Sequence, residues 1–298
     1  MIMQNLLSKT YIWVQAARPK TLWAGIAPVI IGTAIAYGDG KFHFLSAAAA
    51  ILASLLIQIA TNLANDYYDF IHGADTSERL GPKRITQAGL VKPQIVKFAF
   101  ILTFSLAFIV GLYLVWRGGW PILTIGILSI ILGILYTGGP FPLGYHGWGD
   151  VVVLIFFGPV AVGGTYYVQA LEITPIVLIA GLSPGLLSMA LLTVNNLRDI
   201  HTDRRAGKRT MAVRFGEFFT RMEYLVSVTI ACTIPAILFL IKGDHPYAVA
   251  TTFVFIPAIP SIYSIFMKQI GPELNITLAN TGKLLLLYSI VFAVGWIV

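Results

Sequence analysis

The sequence predicts an all-α membrane protein, a bundle of about nine transmembrane helices. Of its 298 residues, 57% are hydrophobic and only 11% are charged, and mean hydropathy is +0.81. A soluble domain carries about a quarter charged residues. A helix needs about twenty apolar residues to cross a bilayer. On that rule we place spans at about 21–38, 44–68, 95–116, 119–137, 149–170, 174–196, 222–242, 247–267 and 281–298.

The whole chain, 1–298, is expected to form one transmembrane domain, because domain counting by length does not apply to a polytopic membrane protein and the expected unit is one helical bundle. The first apolar run follows Arg18 and Lys20 and shows no convincing cleavage site, so we interpret it as a retained membrane helix. The one cysteine, Cys232, lies in an apolar run. No disulfide framework or cysteine metal cluster is predicted.

The basic residues divide unequally between the two sides of the predicted bundle. Seventeen of the twenty Lys and Arg residues fall on one side, and only Lys41, Arg117 and Lys242 fall on the other. By the positive-inside rule, the N-terminus is cytoplasmic in the cell inner (plasma) membrane and the C-terminus is outside. The net charge of +7 then reflects contact with membrane lipid, and nucleic-acid binding is not predicted.

A polar stripe stands at the end of the second predicted helix. Asn62, Asp66 and Asp69 are spaced by four and three residues, which puts them on one helix face. Carboxylates at the edge of a bilayer core are costly, so their presence indicates a function. The cytoplasmic connection that follows, about 69–94, is rich in polar residues.

A similar stripe ends the sixth predicted helix, in the segment NNLRDIHTDRRAGKR. Asn195, Asp199 and Asp203 stand at successive steps of four, and the connection at about 197–221 is again strongly basic. An even number of helices separates the two stripes, so both are expected at the cytoplasmic end of the bundle.

The two stripes together indicate a phosphate site. Oxygen-only ligands suit a hard cation, and Mg²⁺ bound through a few carboxylates usually completes its shell with substrate phosphate. The basic residues downstream (Lys83, Arg84, Lys208 and Arg209) can hold the remaining phosphate oxygens. A clamp of this kind stabilises a leaving diphosphate, and the membrane accommodates a long apolar tail.

Three segments resemble a known family. NDYYD with the further Asp75, GPKRITQAGL and NNLRDIHTDRRAGKRTMAVRFG resemble the aspartate-rich motifs of the UbiA superfamily of intramembrane aromatic prenyltransferases. ARPKTLWAGIAPVIIGTAIA at 17–36 is similar to the menaquinone branch, and the resemblance runs from about 17 to 220. It implies a UbiA-like bundle around a central cavity that opens sideways to lipid.

The activity that this resemblance implies is Mg²⁺-dependent transfer of a polyprenyl group from polyprenyl diphosphate to an aromatic acceptor. For the menaquinone branch the acceptor is 1,4-dihydroxy-2-naphthoate, which loses its carboxyl group to give demethylmenaquinol. No obligate protein partner is expected. The implied metal ligands are Asp66, Asp69, Asp199, Asp203 and Asp75, and the implied substrate-binding residues are Arg18, Asn62, Asn65, Lys83, Arg84, Asn195, Asn196, Lys208 and Arg209.

The sequence departs from the family pattern at two positions. Gly73 stands where many members have a further Asp, and Asp75 comes two residues later, so its role stays open. Pro140 stands where many members have a Lys four residues after a Tyr, here Tyr136. Tyr136 is a candidate catalytic residue, because an aromatic face can shield an allylic cation.

Other side chains are candidates for the same cavity. The further aromatic candidates for its wall are Tyr67, Tyr68, Phe156 and Phe157. Asp150, at the cytoplasmic start of the fifth predicted helix, is expected either to orient the acceptor, to act as a base, or only to cap its helix.

Two alternatives remain open from the residues. The first is a UbiA-type enzyme that uses another acceptor, such as 4-hydroxybenzoate, homogentisate or haem. The second is a transporter or ion pathway, since intramembrane acids also mark those proteins. The external half holds only Asp39, Glu172 and Asp244 as acids, and this asymmetry favours catalysis at one membrane surface.

Overall fold

The structure, a computed structural model, describes residues 2–74, 80–82, 84–268 and 270–298, with side chains from residue 10 onward. Throughout this described part the regular structure is helical, without β-strands. The α-helices are α1 (Ile2–Ala17), α2 (Pro19–Gly38), α3 (Phe44–Ile71), α4 (Pro93–Gly118), α5 (Trp120–Leu135), α6 (Gly149–Ile155), α7 (Ala161–Ala170), α8 (Pro175–Arg198), α9 (Ile200–Arg205), α10 (Met211–Lys242), α11 (Phe255–Met267) and α12 (Leu274–Ile297). A π-helical turn, Phe156–Val160, joins α6 to α7, and 3₁₀ helices lie at Leu143–His146 and Pro246–Val254.

The chain is a multi-pass integral membrane protein. Among the described residues, eight helical segments are long and apolar enough to cross a membrane. The segment Gly149–Ala170 counts as one of them, as does Pro246–Met267. This confirms the predicted all-α membrane bundle. The predicted count of nine is approximate, because α5 has only 16 residues and is about 24 Å long.

Contacts at the two ends of α5 show that it nonetheless crosses the bundle. Arg117, before α5, donates to the Val168 carbonyl (3.3 Å) at the end of α7, and Gln169 beside it accepts from the His43 N–H before α3. Thr137, after α5, donates to Asn65 (2.8 Å) near the opposite end of α3. The chain therefore returns across the bundle through α5.

Helix boundaries differ from the predicted spans at three places. Helix α1 had not been predicted. Helix α10 begins at Met211, not near 222, because Thr210 caps it and accepts from the Val213 N–H (3.3 Å). Gly216 then takes a positive φ of 82°, which a glycine adopts at low cost, and the apolar run starts only beyond this bend.

Helix α12 begins at Leu274, not near 281, because polar residues of its first turns are paired inside the bundle. Thr277 shares a hydrogen bond with Ser264 (2.6 Å), and Thr281 shares one with Tyr224 (2.9 Å). Hydropathy therefore underestimates the length of this buried helix, because hydroxyl groups are tolerated inside the bundle when they are hydrogen-bonded to each other.

The segment α6–α7 packs directly on the backbone of α8. A Cβ atom added at Gly185 would lie 2.3 Å from the Leu154 carbonyl oxygen, so only glycine permits this approach. The π-helical turn contains Pro159, and Gly158 leaves helical geometry there. The main buried core joins α2, α7, α8, α10 and α12 beside this contact.

The two ends of the bundle carry separate charge clusters. At one end Lys41 pairs with Glu172, and Lys242 pairs with Asp39 at 3.3 Å. The polar stripes of α3 and α8 lie together at the other end. The predicted sorting of the loops into two opposite sets therefore agrees with the fold.

Candidate active site

A cavity of about 760 Å³ opens at the end of the bundle that carries the two stripes. Its mouth is polar, with Asp69, Asp199 and Asp203 among the lining residues. Its deeper part is apolar and is lined along α3 as far as Ala53 and Ala50. Sixteen residues separate Ala53 from Asp69, which along a helix is about 24 Å. The cavity therefore has a charged mouth that leads directly into a long apolar space.

Asp69 is the best-connected carboxylate at this mouth. Its side chain is 2% exposed and accepts a hydrogen bond from Arg84 Nη2 at 2.6 Å. Tyr145 Oη donates to it at 2.5 Å, and Lys208 Nζ lies 3.4 Å away. The Lys208 ammonium also stands over the Tyr145 ring, 4.5 Å from its centroid. Buried charges require such pairing, and here the partners come from three separate loops.

Asp66 has different surroundings, although it belongs to the same stripe. It is buried, and its two oxygens accept the backbone N–H groups of Ile85 (3.0 Å) and Thr86 (3.1 Å). It is not one of the described residues that line the cavity. Asp66 therefore holds the turn that begins at Ile85, directly after Arg84.

The two asparagines of α3 connect it to neighbouring segments. Asn62 Nδ2 donates to the Ala17 carbonyl at the end of α1 (2.9 Å) and to Thr21 (3.2 Å). Asn65 accepts from Thr137. Both line the cavity, as does Arg18, which takes a left-handed conformation (φ 53°) between α1 and α2. These residues fix the position of the α3 stripe in the bundle.

The second stripe spans a helix break. Helix α8 ends at Arg198, and Asp199 stands between it and the short α9, which contains Asp203. Arg198 donates twice to Asp199, from Nε at 2.8 Å and from Nη2 at 2.5 Å, and also to Asn195 at 2.7 Å. The stripe residues Asn195, Asn196, Asp199 and Asp203 all line the cavity.

Lys208 bridges the two stripes. Its Nζ lies 3.4 Å from Asp69 and 3.7 Å from Asp203, so one ammonium is close to carboxylates of both stripes. Arg209 is placed differently, with an exposed side chain outside the described cavity lining. Its backbone N–H donates to the Tyr145 carbonyl at 2.6 Å.

The aromatic candidates divide between two environments. Tyr136, Phe156 and Phe157 line the cavity. Tyr67 and Tyr68 were also predicted for the cavity wall, and this prediction is wrong. Neither is among the described residues that line the cavity, and both pack against Phe100 in a separate cluster.

Asp150 is buried in the first turn of α6. Its Oδ1 atom has no hydrogen-bond partner among the described residues, and the carboxylate is not part of the described lining. Two predicted site residues, Asp75 and Lys83, lie outside the described residues.

The comparisons with known proteins agree with this geometry. A model of the UbiA prenyltransferase family matches residues 25–273. The chain belongs to the UbiA prenyltransferase family. Membership confirms the predicted enzyme class, transfer of prenyl groups, and decides against the transporter alternative.

Curated UbiA relatives match over almost the whole chain. The 1,4-dihydroxy-2-naphthoate octaprenyltransferase of Escherichia coli is 37% identical over 98% of this chain and 97% of its own. The enzyme of the same name from Mycobacterium tuberculosis is 37% identical over 94% and 95%. Among solved structures, a UbiA homolog from Archaeoglobus fulgidus bound to GPP and Mg²⁺ has a TM-score of 0.67 at 16% identity, covering 96% of this chain and 99% of that one. The last likeness confirms the predicted UbiA-like fold.

The UbiA site must be compatible with a metal ion. Within the described part of the chain, no three His, Cys, Asp or Glu side chains lie close enough together to hold a metal ion. Asp69 and Asp199 pair instead with Arg84 and Arg198. The donor set nevertheless fits, since Asp69, Asp199 and Asp203 offer only oxygen to a common cavity. The Lys208 ammonium between Asp69 and Asp203 marks a position where positive charge is favourable.

Three residues that hold the carboxylates of this UbiA site were not predicted. Tyr145 donates to Asp69, Arg198 donates to Asp199, and Asn275 on α12 accepts from Arg198 Nη1 at 2.8 Å. Arg198 stands directly before Asp199, and its position in the NNLRD segment was the available signal. Tyr145 lies in a loop without periodicity, and Asn275 precedes the predicted ninth span. Nothing in the sequence alone indicated that these two would reach the stripes.

Proposed function

We propose that this chain transfers a polyprenyl group from polyprenyl diphosphate to 1,4-dihydroxy-2-naphthoate, in menaquinone biosynthesis. The observation that carries the proposal is the near full-length likeness, at 37% identity, to two enzymes named for this acceptor. The cavity supports it, because a charged mouth and a deep apolar interior suit a diphosphate with a long hydrocarbon tail. The chain would act as one transmembrane unit.

We propose Mg²⁺ as the cofactor, held by Asp69, Asp199 and Asp203. When bound, Mg²⁺ neutralises diphosphate charge and stabilises the leaving group. The predicted metal role of Asp66 stays a prediction, since in this structure its oxygens bond to the turn at Ile85. Asp75 stays a predicted ligand outside the described residues.

The cations of the mouth would bind the diphosphate oxygens. Arg84 and Lys208 both pair with Asp69 here, and each lines the cavity. Arginine and lysine donate strong charge-assisted hydrogen bonds to phosphate, so these side chains would turn from carboxylate to diphosphate as the substrate enters. Arg18 lies at the same mouth, whereas Lys83 and Arg209 stay predicted contributors.

The cavity wall would control the reacting carbon. As the bond between the allylic carbon and the diphosphate oxygen breaks, the faces of Tyr136, Phe156 and Phe157 can stabilise the allylic cation by cation–π contact and exclude water. The acceptor ring carbon then bonds to the allylic carbon. Loss of carbon dioxide or of a proton returns the electron pair to the ring. Asp150, buried beside the wall, would orient the acceptor or take up the proton.

We also propose the membrane orientation. The basic end of the bundle, which carries the site, would face the cytoplasm across the inner membrane by the positive-inside rule. The end that carries Lys41 and Lys242 would face outward.

A reconstituted assay tests the acceptor. Purified protein in liposomes would receive Mg²⁺, octaprenyl diphosphate and, in separate reactions, 1,4-dihydroxy-2-naphthoate, 4-hydroxybenzoate or homogentisate, with products identified by mass spectrometry. We expect a prenylated, decarboxylated product from the naphthoate alone. Product from another acceptor and none from the naphthoate would overturn the assignment and support the alternative.

A further inference from the structure

The α12 residue Asn275 stands at the centre of a set of contacts that the proposed reaction does not yet explain. Its Oδ1 atom accepts from Arg198 Nη1 at 2.8 Å, and its Nδ2 atom donates to the Leu80 carbonyl at 2.9 Å. Arg198 ends α8, and Leu80 belongs to the connection between α3 and α4. One amide thus joins three segments that are far apart in sequence.

Arg198 is engaged in a way that leaves it unsuited to bind substrate. Its side chain is 1% exposed, and four of its five possible N–H bonds go to Asp199, Asn195 and Asn275. A buried guanidinium is stable only with such compensation. Its geometric effect is to fix the Asp199 carboxylate, which lines the cavity, through two parallel bonds.

The loop backbone is also shaped to this guanidinium. A Cβ atom added at Gly81 would lie 2.8 Å from Arg198 Nη2 and 3.1 Å from Cζ. Glycine at this position therefore lets the loop rest on the guanidinium. Arg84 follows three residues later and reaches Asp69 at 2.6 Å.

We propose that Asn275 is a positioning residue that holds the two halves of the diphosphate site at a fixed separation. Through Arg198 it fixes Asp199, and through the Leu80 carbonyl it fixes the loop that carries Arg84. The inference rests on the proposed function, because its purpose is to keep both halves ready for the diphosphate end of the donor. It gives α12 a direct role in the site.

The predicted effect is on donor binding and not on the chemical step. When the two halves of the diphosphate site are no longer held at a fixed separation, they bind the diphosphate less tightly in the ground state and in the transition state alike. KM therefore rises while kcat stays nearly constant. Asn275→Ala removes both bonds, and we expect an increase in the KM for octaprenyl diphosphate of about tenfold. Asn275→Asp keeps an acceptor for Arg198 and is expected to rescue part of this loss.

A second variant disturbs the same contact from the other side. Gly81→Ala places a methyl group against the fixed guanidinium, so either the loop or Arg198 must move. Ile276→Ala is the matched control, because this neighbouring α12 side chain is 63% exposed on the outer surface of the bundle. The control should keep the wild-type KM and kcat.

Limited proteolysis supplies a readout that does not depend on turnover. Trypsin cleavage after Arg84 should be several-fold faster in Asn275→Ala and Gly81→Ala than in Ile276→Ala, because Leu80 and Gly81 lose the contacts that hold them to Asn275 and Arg198. Cleavage rates and donor KM equal to those of Ile276→Ala would overturn the inference, as would a fall in kcat at constant KM. If wild-type protein prenylates no naphthoate, the proposed function fails, and the cleavage rates still decide the role of Asn275.

Discussion

Asp69→Asn tests the centre of the proposed site. The change removes one negative charge and keeps the shape of the side chain. In the structure the Asp69 side chain is 2% exposed and the Arg84 side chain is 7% exposed, and Arg84 Nη2 lies 2.6 Å from Asp69 Oδ2. Tyr145 donates to the same carboxylate at 2.5 Å, and Lys208 approaches it at 3.4 Å. The variant therefore perturbs a buried pair and the proposed metal site together.

The magnitudes follow from this burial. Removing one partner of a buried ion pair costs about 3–5 kcal/mol of folding stability. Lys208 keeps Asp203 at 3.7 Å, so we expect about 3 kcal/mol, the lower end of that range. The effect on catalysis is separate. Losing the Asp69 carboxylate as a metal ligand removes ~3 kcal/mol of transition-state stabilisation, which corresponds to a fall of about 100-fold in kcat/KM.

The assay is turnover as a function of Mg²⁺ concentration, with thermal unfolding in detergent as the stability measurement. Asp69→Asn should require more Mg²⁺ for half-maximal activity. Asp66→Asn is the comparison, since its carboxylate bonds to backbone N–H groups and lies off the cavity. It should lower kcat/KM about tenfold through the turn, with an unchanged Mg²⁺ requirement. Wild-type Mg²⁺ dependence and kcat/KM in Asp69→Asn would refute the reasoning.

Three further outcomes are expected. Tyr145→Phe keeps the ring under Lys208 but loses the bond to Asp69, so kcat/KM should fall about tenfold, and an unchanged value would exclude a role for the hydroxyl. Chelation by EDTA should abolish turnover and added Mg²⁺ should restore it; turnover that persists in EDTA contradicts the metal proposal. Ala53→Phe should fill the deep end of the cavity, so activity with octaprenyl diphosphate should fall at least tenfold while geranyl diphosphate, whose short tail stops above it, is used as before. Equal losses with both donors would mean that the tail does not reach Ala53.

Much of the fold could be predicted, because the bilayer limits the chain to apolar helices of about one length. One segment that was missed, the start of α12, contains polar residues that are paired inside the bundle. Thr277 and Thr281 lower the hydropathy of α12, yet each has a hydroxyl partner on a neighbouring helix. No local pattern contains that information.

The site was predictable to the level of the two stripes. Helix spacing groups Asn62, Asp66 and Asp69, but at 100° per residue Asp66 lies about 60° around the helix from Asp69. This rotation is enough to direct Asp66 to the loop and Asp69 to the cavity. The second stripe kept its spacing although α8 ends at Arg198, because Asp203 N–H still donates to the Asp199 carbonyl at 2.8 Å.

The supporting residues could not be predicted, because they reach the site only through tertiary contacts. Asn275 lies 77 positions from its partner Arg198, and Tyr145 lies 76 positions from Asp69. Lone polar residues at such separations carry no periodic signal. Their roles follow only from where the helices pack.

The claim that Asp69 and Asp199 belong to one diphosphate site is tested most directly by a double-mutant cycle on binding. The affinity of purified protein for a non-cleavable prenyl thiodiphosphate would be measured with Mg²⁺ for wild type, Asp69→Asn, Asp199→Asn and the double variant. Residues that act as a unit are strongly non-additive. We predict that the affinity of the double variant is almost the same as that of whichever single variant binds the thiodiphosphate less tightly. Losses that simply add would show that the two stripes bind independently and would contradict the shared site.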